Sequence, residues 1–262
     1  MYDSRTDGVA GFPPAIDQET GISQFAGAVP LAPIVTGQGL DLAANITAAQ
    51  ARLNELGIAY QAQDRLEEAE RCFQESLELL REAGDEVRQA QVENNLGALY
   101  LRQRRLAEAG IHLSRSIDLA HVSGNRAVQT EALNNLAAVC QLEGRLAQAE
   151  ECYDHALQIA RERGDHDEQA KVLNNLGVLR QRQQHWEQAR SAYEESLAIK
   201  TRRGDRVGQG KTLTNLALLC QAQGDAEGAI PLAKQALAVL EGAKDSREAL
   251  TAKALLVRLR AL

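Results

Sequence analysis

The sequence predicts an all-α fold: a solenoid of stacked helical hairpins closed by a C-terminal capping helix. Three observations point there. Aromatic residues make up only 3% of the 262-residue chain. The core must therefore be built from Leu, Ala, Ile and Val; Ala and Leu lead the helix scale, whereas strands draw on β-branched and aromatic residues. The chain also matches itself at a shift of forty residues. Leu56, Leu96, Leu136, Leu176 and Leu216 fall in register, each followed by a small residue: Gly57, Gly97, Ala137, Gly177 and Ala217. Finally, thirteen residues past each Leu stands an alanine, at Ala69, Ala109, Ala149, Ala189 and Ala229. A fixed period of roughly 20–50 residues, held without insertion, is the mark of a stacked repeat architecture.

The elements follow in chain order. Residues 1–44 hold four of the five prolines, six glycines and five acids against one basic residue, with no helical period. They read as a disordered or loosely attached tail, whose last residues, Gly39 to Ala44, can merge into the first helix. Residues 45–262 carry the array, divided into repeats 45–84, 85–124, 125–164, 165–204 and 205–244 and a capping helix 245–262. Each repeat reads as helix A followed by helix B. Asn45, Asp85, Asn125, Asp165, Asp205 and Asp245 stand as N-caps of the A helices, most of them preceded by a glycine suited to a left-handed helix end. Asp165 with Glu168, and Asp245 with Glu248, have capping-box spacing. A second break falls at Asp64-Arg65, Arg104-Arg105, Gly144-Arg145, Gln184-His185 and Gly224-Asp225. Gly57 and its equivalents are expected to let helix B approach closely, where Ala69 and its equivalents meet it. Leu66, Leu106, Leu146 and Trp186, with Phe73, Leu113, Tyr153 and Tyr193, fill the remaining space. Gly228 and Pro231 make the fifth helix B the weakest. Leu256 and Val257 stand in the cap where a Leu-small pair would be, because no helix B follows.

These residues resemble the tetratricopeptide-repeat (TPR) family in its forty-residue form. The resemblance is carried by Asn54-Glu55-Leu56-Gly57-Ile58-Ala59-Tyr60, Asn94-Asn95-Leu96-Gly97-Ala98-Leu99-Tyr100, Leu133-Asn134-Asn135-Leu136 and Asn174-Asn175-Leu176-Gly177. TPR arrays of bacterial signalling proteins, kinesin light chains and Rapsyn-like scaffolds are similar in repeat form. The resemblance covers residues 45–262 and implies a right-handed superhelix with helix A on the concave surface, where a partner segment lies. The chain departs from the pattern at Arg180, Cys140 and Cys220, which replace the tyrosine seen at Tyr60 and Tyr100, and at Glu93, which interrupts the series Leu53, Leu133, Leu173, Leu213.

Mapped on that surface, Asn94, Asn95, Asn134, Asn135, Asn174, Asn175 and Asn215 form an amide ladder, with Asn54, Glu55 and Thr214 in the same rows. Ile58, Ala98, Ala138, Val178 and Leu218 supply a small, apolar floor beside Gln61, Leu101, Gln141, Gln181 and Gln221. Amides donate and accept, so a row of them can bond a peptide backbone with little regard to its sequence. The same asparagines also belong to the repeat pattern itself, and both readings stand at this point. Lys171, Arg182 and Lys211 share this face in the C-terminal half, with Arg258 nearby. Glu55 and Glu131 lie in the N-terminal half with Arg102 between. A basic C-terminal groove favours an acidic peptide; the plain alternative is a solvated face. The carboxylate-clamp pattern of some chaperone-binding members is not met, since Ile58, Ala98 and Ala138 stand where an asparagine is needed. The acidic tail, tethered beside the groove, is a candidate to occupy it in cis.

Other chemistry is not indicated. A net charge of −7 argues against a general nucleic-acid binder. No apolar run approaches the roughly 20 residues that span a bilayer. Ala26 to Val35 is broken by Pro30 and Pro33 and lacks the basic leader of a signal peptide. With no CxxC pair among four cysteines, the chain reads as cytoplasmic with reduced thiols. Cys72 and Cys152 share one repeat position and Cys140 and Cys220 another, as small core hydrophobes would. His112, His121, His155, His166 and His185 show no metal-ligand spacing. Gly208-Gln209-Gly210-Lys211-Thr212 ends like a phosphate-binding loop, but Asp205 stands where that motif needs glycine and the period places it inside a helix. No catalytic residue, cofactor or metal site is expected. The sequence reads as a non-enzymatic adaptor that binds a protein or peptide segment, an acidic one by charge, in its concave groove. Two alternatives stand beside it: a sensor whose solenoid changes shape on binding a small effector, and a structural homo-oligomer assembled through an exposed, Leu255-rich cap. The oligomeric state is left open.

Overall fold

A computed structural model describes residues 42–240, 242 and 247–259, with side chains from Thr47 onward. Of the expected tail, 1–44, residues 1–41 lie outside the described residues, as does the cap at Asp245, while 42–44 are the start of the first helix. Among those described are eleven helices and no strand. They are α1 (Leu42–Ala62), α2 (Leu66–Ala83), α3 (Glu86–Arg102), α4 (Leu106–Val122), α5 (Arg126–Leu142), α6 (Leu146–Glu162), α7 (His166–Arg182), α8 (Trp186–Arg203), α9 (Arg206–Ala222), α10 (Ala226–Val239) and α11 (Arg247–Leu259). Odd-numbered helices are the A helices and even-numbered ones the B helices. Each helix packs on the next, and each odd helix also touches the next odd helix. The A helices therefore form one continuous wall.

Local chemistry explains where the A helices begin. Asp85, Asn125, Asp165 and Asp205 each accept a bond from the backbone N–H three residues on, at 2.8–3.3 Å. Asp225 does the same for α10. Asp165 makes only half of a capping box, because its own N–H donates to the Ala160 carbonyl while Glu168 turns to Lys171. Asn45 is no cap: α1 begins at Leu42 and runs through it. The remaining B helices start without a side-chain cap bond. Arg65 and Arg105 instead pair with Glu68 and Glu108 one turn on, and lie over the rings of Tyr60 and Tyr100 at 4.3 Å. The A-to-B turns use a left-handed residue at Asp64, Arg104, Gly144, Gln184 and Gly224, so the period fixes a backbone conformation even where the residue is not glycine.

The hairpins close at the small residues of helix A. Ala137 with Ala149, and Ala217 with Ala229, lie in shared core clusters, and the glycines meet a larger neighbour as well. A Cβ at Gly57 would stand 2.5 Å from the Phe73 ring, one at Gly97 2.4 Å from Leu113, and one at Gly177 2.6 Å from Tyr193. The glycines thus make room for the largest buried side chains of helix B, four residues past the alanines. Ala69, Ala109, Ala149, Ala189 and Ala229 are themselves wholly buried. Ser76, Ser116 and Ser196 tie B to A by donating to the carbonyls of Gln50, Ala90 and Ala170. Gln89, Gln169 and Gln209 tie each A helix back to the carbonyl at the end of the preceding B helix.

Glu93, where other repeats carry leucine, is 2% exposed. Its carboxyl accepts from Arg81 at 3.1 Å and meets His112 Nδ1 at 2.5 Å, so the buried group has a partner on two sides. Along the outer seams, Glu70 bonds Arg105 and Tyr100, Glu150 bonds Arg180, and Arg190 bonds Gln223. The seam between the second and third repeats lacks such a clasp. Gly110 stands at that position with open space around it, and the cleft there is lined by Ile111, Cys140, Arg145 and Cys152.

Two substitutions separate these roles. Gly97→Val should lower stability by about 1–3 kcal/mol, since the new methyls collide with Leu113 and its backbone. Gly110→Glu should raise it by about 1 kcal/mol, by removing a mid-helix glycine and supplying the partner that Arg105 has in Glu70 and Arg145 lacks. The urea midpoint, followed by circular dichroism, reads both.

Candidate functional site

The wall of A helices carries the residues that the sequence singled out, and its asparagines bond one another across the repeat seams. Asn95 donates to Asn54 at 2.8 Å, and Asn135 to Asn94, Asn175 to Asn134 and Asn215 to Asn174 at 3.0 Å each. The ladder is therefore a chain of inter-repeat clamps. Asn94, Asn174 and Asn175 are buried, whereas Asn95, Asn134, Asn135 and Asn215 are half-buried. Asn94 also donates to Glu131 at 3.2 Å, and Asn174 accepts from Thr212 at 3.3 Å. Each amide has two donor hydrogens and two lone pairs. The clamp uses one N–H of Asn135, of Asn175 and of Asn215.

The basic residues are only partly available. Lys171 pairs with Glu168 at 3.4 Å. Arg182 donates to the Gln141 carbonyl at 3.3 Å, across a seam, as Arg102 does to that of Gln61 at 2.6 Å. Arg258 donates to Gln221 at 2.5 Å. Lys211 is half-buried on α9 at the position that Lys171 holds on α7. Glu131 and Glu168 lie close enough to repel each other. Glu131 is exposed as a residue, but its carboxyl faces the wall, where partial desolvation first and Glu168 second raise it above the usual carboxylate range and Lys171 opposes them. Burial likewise raises Glu168, again against the pull of Lys171. The middle of the wall is thus bipolar rather than simply basic. Glu168 entered the sequence reading only as a capping residue, because its closeness to Glu131 crosses a seam and has no signature in the linear pattern.

A cavity of about 250 Å³ opens between α7 and α9, lined by Val178, Gln181, Arg182, Trp186, Asn215 and Leu218 among others. It brings two of the expected site residues, Arg182 and Asn215, to the edge of an apolar pocket. Trp186, expected as a core filler, packs half-buried against the cluster of Ala189, Tyr193, Leu216 and Leu219 and also lines the pocket.

Gly208 to Thr212 lie within α9, with Asp205 capping Gly208, so the phosphate-loop reading has no loop to rest on. Cys140 and Cys220 are buried and Cys72 and Cys152 half-buried, all four as thiols. Burial pushes the Cys152 thiol up to about 11. Among the described residues no three His, Cys, Asp or Glu side chains group as metal ligands would, and no helix is long and apolar enough to cross a membrane.

Sequence profiles of the tetratricopeptide repeat match residues 47–120, 129–202 and 210–243. No curated protein sequence matches the chain. Among solved structures, BtubC (BKLC) from P. vanneervenii superposes with a TM-score of 0.69 at 22% identity, covering 79% of this chain and 86% of that one. A signal transduction ATPase of the STAND class with a tetratricopeptide repeat sensor, from Pyrococcus horikoshii, gives 0.69 at 18% identity, over 83% of this chain and 33% of that one. A Rap protein complexed with Competence and Sporulation Factor gives 0.61 at 13% identity, over 83% of this chain and 65% of that one.

The raised carboxyl in the wall has a measurable consequence. A folded-state value above the unfolded one means that the native state holds its proton longer, so stability falls as pH rises through that window. Glu131→Gln keeps an acceptor for Asn94 and removes the charge. Thermal unfolding should show the variant melting higher than the parent at pH 7, with the difference closing as pH falls below about 4.

Proposed function

Because the chain belongs to the tetratricopeptide-repeat family, whose members are typically non-catalytic interaction scaffolds, we propose that its wall of A helices is a groove binding a peptide segment of a partner protein. The observation that carries this reading is the pocket between α7 and α9. It offers an apolar recess edged by a guanidinium and an amide, Arg182 and Asn215. Such a recess takes an aliphatic or aromatic side chain and a neighbouring acidic or amide group together. The ladder supports the reading in a secondary way. After the inter-repeat clamps form, the half-buried Asn135 and Asn215 keep donor and acceptor capacity along the same wall, two repeats apart. The Rap structure solved with Competence and Sporulation Factor is a fold neighbour in which a bound factor accompanies a solenoid of this kind.

An acidic residue in the partner fits Lys211 and Arg182, while Glu131 and Glu168 disfavour acids further toward the N-terminal repeats. The segment would then lie in one direction, with its acidic end toward α9. The ladder asparagines are unsuitable for the test, since their loss breaks the repeated seam clamps, whereas Arg182 gives up a single exposed bond to the Gln141 carbonyl. Selection from a displayed library of random twelve-residue peptides on the native chain should enrich sequences that pair an apolar residue with a nearby acid. Their affinity should fall tenfold or more for Arg182→Glu/Lys211→Glu, a variant of unchanged helicity. Enriched peptides that bind the variant equally well would move the binding surface elsewhere and end this reading.

A further inference from the structure

The capping helix carries a second interaction surface, separate from the groove. α11 packs one face on α9 and α10 through Ala249, Ala252, Leu255, Leu256 and Leu259. Leu255 is 4% exposed, so the Leu255-rich exposed cap expected from the sequence is in fact interior. The apolar residues left outside are Leu250, 56% exposed, and Val257, 64% exposed, with Lys253 and Ala254 between them. Spacings of three, four and seven residues set them in one stripe along the helix.

The repeat register shows what this face is built to meet. Val257 holds the position of Gly57, Gly97, Ala137, Gly177 and Ala217; Leu250 that of Ala90, Thr130, Ala170 and Gly210; Lys253 that of Leu133, Leu173 and Leu213. In the earlier repeats these positions are buried, and helix B provides the cover: Leu113 over Gly97, Tyr193 over Gly177, Leu240 over Gly210. A helix is thus the element that fits the face. A further B helix could close on it only with a small residue opposite Val257, as Ala233 stands in the repeat where Ala217 holds that position; one with a large residue there is excluded. The Cβ that Gly97 lacks would already lie 2.4 Å from its partner, and Val257 has that atom and two more. A helix that rests larger residues on Leu250 and Val257 must stand off at the ordinary packing distance of about 8–10 Å.

Charge identifies the occupant. Arg247, Lys253 and Arg258 flank the stripe and are exposed, Arg258 also donating to the Gln221 amide of α9, while Glu248, the one acid of α11, is half-buried. A second copy of the chain fits poorly. A two-fold antiparallel pairing that matches Leu250 with Val257 is centred between Lys253 and Ala254. It sets Lys253 against its own copy inside the contact and Arg247 toward the other Arg258. We propose that this face docks an amphipathic helix of a partner protein whose apolar stripe is flanked by acidic residues. Hydrophobic contact with Leu250 and Val257 provides the seat, and the three cations select the partner and its register.

The test uses the full chain and a fluorescein-labelled synthetic helix with leucines at positions i, i+3, i+4 and i+7 and flanking glutamates. Its twin carries lysine for every glutamate. By anisotropy, the acidic helix should bind saturably below ~100 µM, and the twin at least tenfold more weakly. Leu250→Gln/Val257→Gln and, separately, the surface change Lys253→Glu should each weaken the acidic helix at least tenfold without loss of helicity. Arg182→Glu/Lys211→Glu, which alters the groove, should leave it unchanged. Absence of saturable binding would overturn the proposal, as would binding lost on the groove change but kept on the cap changes. A dimer in sedimentation velocity that Leu250→Gln/Val257→Gln dissolves would also overturn it, in favour of self-association.

Discussion

The amide bond that joins each A helix to the one before it links the stacking of this solenoid to the character of its inner wall. It recurs at four successive seams with the same donor and acceptor, from the second asparagine of one repeat to the first of the preceding one. A hydrogen bond contributes only about 1 kcal/mol net, so the ladder is not what holds the array together. Burial of Leu96, Leu99, Leu176, Leu179 and their neighbours does that. What the ladder adds is direction. Dispersion contacts tolerate sliding, whereas a bond near 3 Å between two short side chains does not, and its repetition holds the A helices to one spacing and one register. The wall is then a set of polar groups at a fixed repeat, which any extended ligand must match.

The turns serve the same constraint. Left-handed residues stand at both breaks of the repeat, and at Asp64, Arg104 and Gln184 the backbone accepts that conformation without glycine. Such residues carry a modest strain. It is tolerated because helix length and pair geometry are already set by the closure of Gly57 on Phe73 and its equivalents. Had the hairpin been held loosely, each of these turns would have been free to relax and the forty-residue pitch would have drifted.

Much of this was legible in the sequence because the relevant interactions repeat at the period itself. The helix pairs and the caps at Asp85, Asn125, Asp165 and Asp205 all follow from forty-residue spacing and local residue chemistry. What was missed has a different origin. That the ring of Phe73, one helical turn past Ala69, presses on Gly57 is told only by three-dimensional packing. The asparagines looked available because each was judged within its own helix, while their partners lie forty-one residues away on the next one. Asn45 has the right residue type and period for a cap, but the helix already runs through it from Leu42. Trp186 shows the same limit: its apolar character was plain, and its place at the edge of a pocket depended on the gap between two repeats.

Stability along such an array is set by nearest neighbours, so variation among seams matters as much as the average. Glu70, Glu150 and Arg190 each send a side chain across the outer seam to the following repeat, and Gly110 sends none. On the inner side, that second-to-third seam is held by Asn135 on Asn94 and by Asn94 on Glu131. Its outer edge is open at Gly110 while its inner edge is clamped, and α5 packs on both α3 and α4 there, so the seam is held from within. The next seam is clasped on both edges, by Glu150 outside and by Asn175 on Asn134 inside. The two seams reach the same forty-residue spacing by different means, one through close helix packing and inner amides, the other through side-chain bonds on both edges.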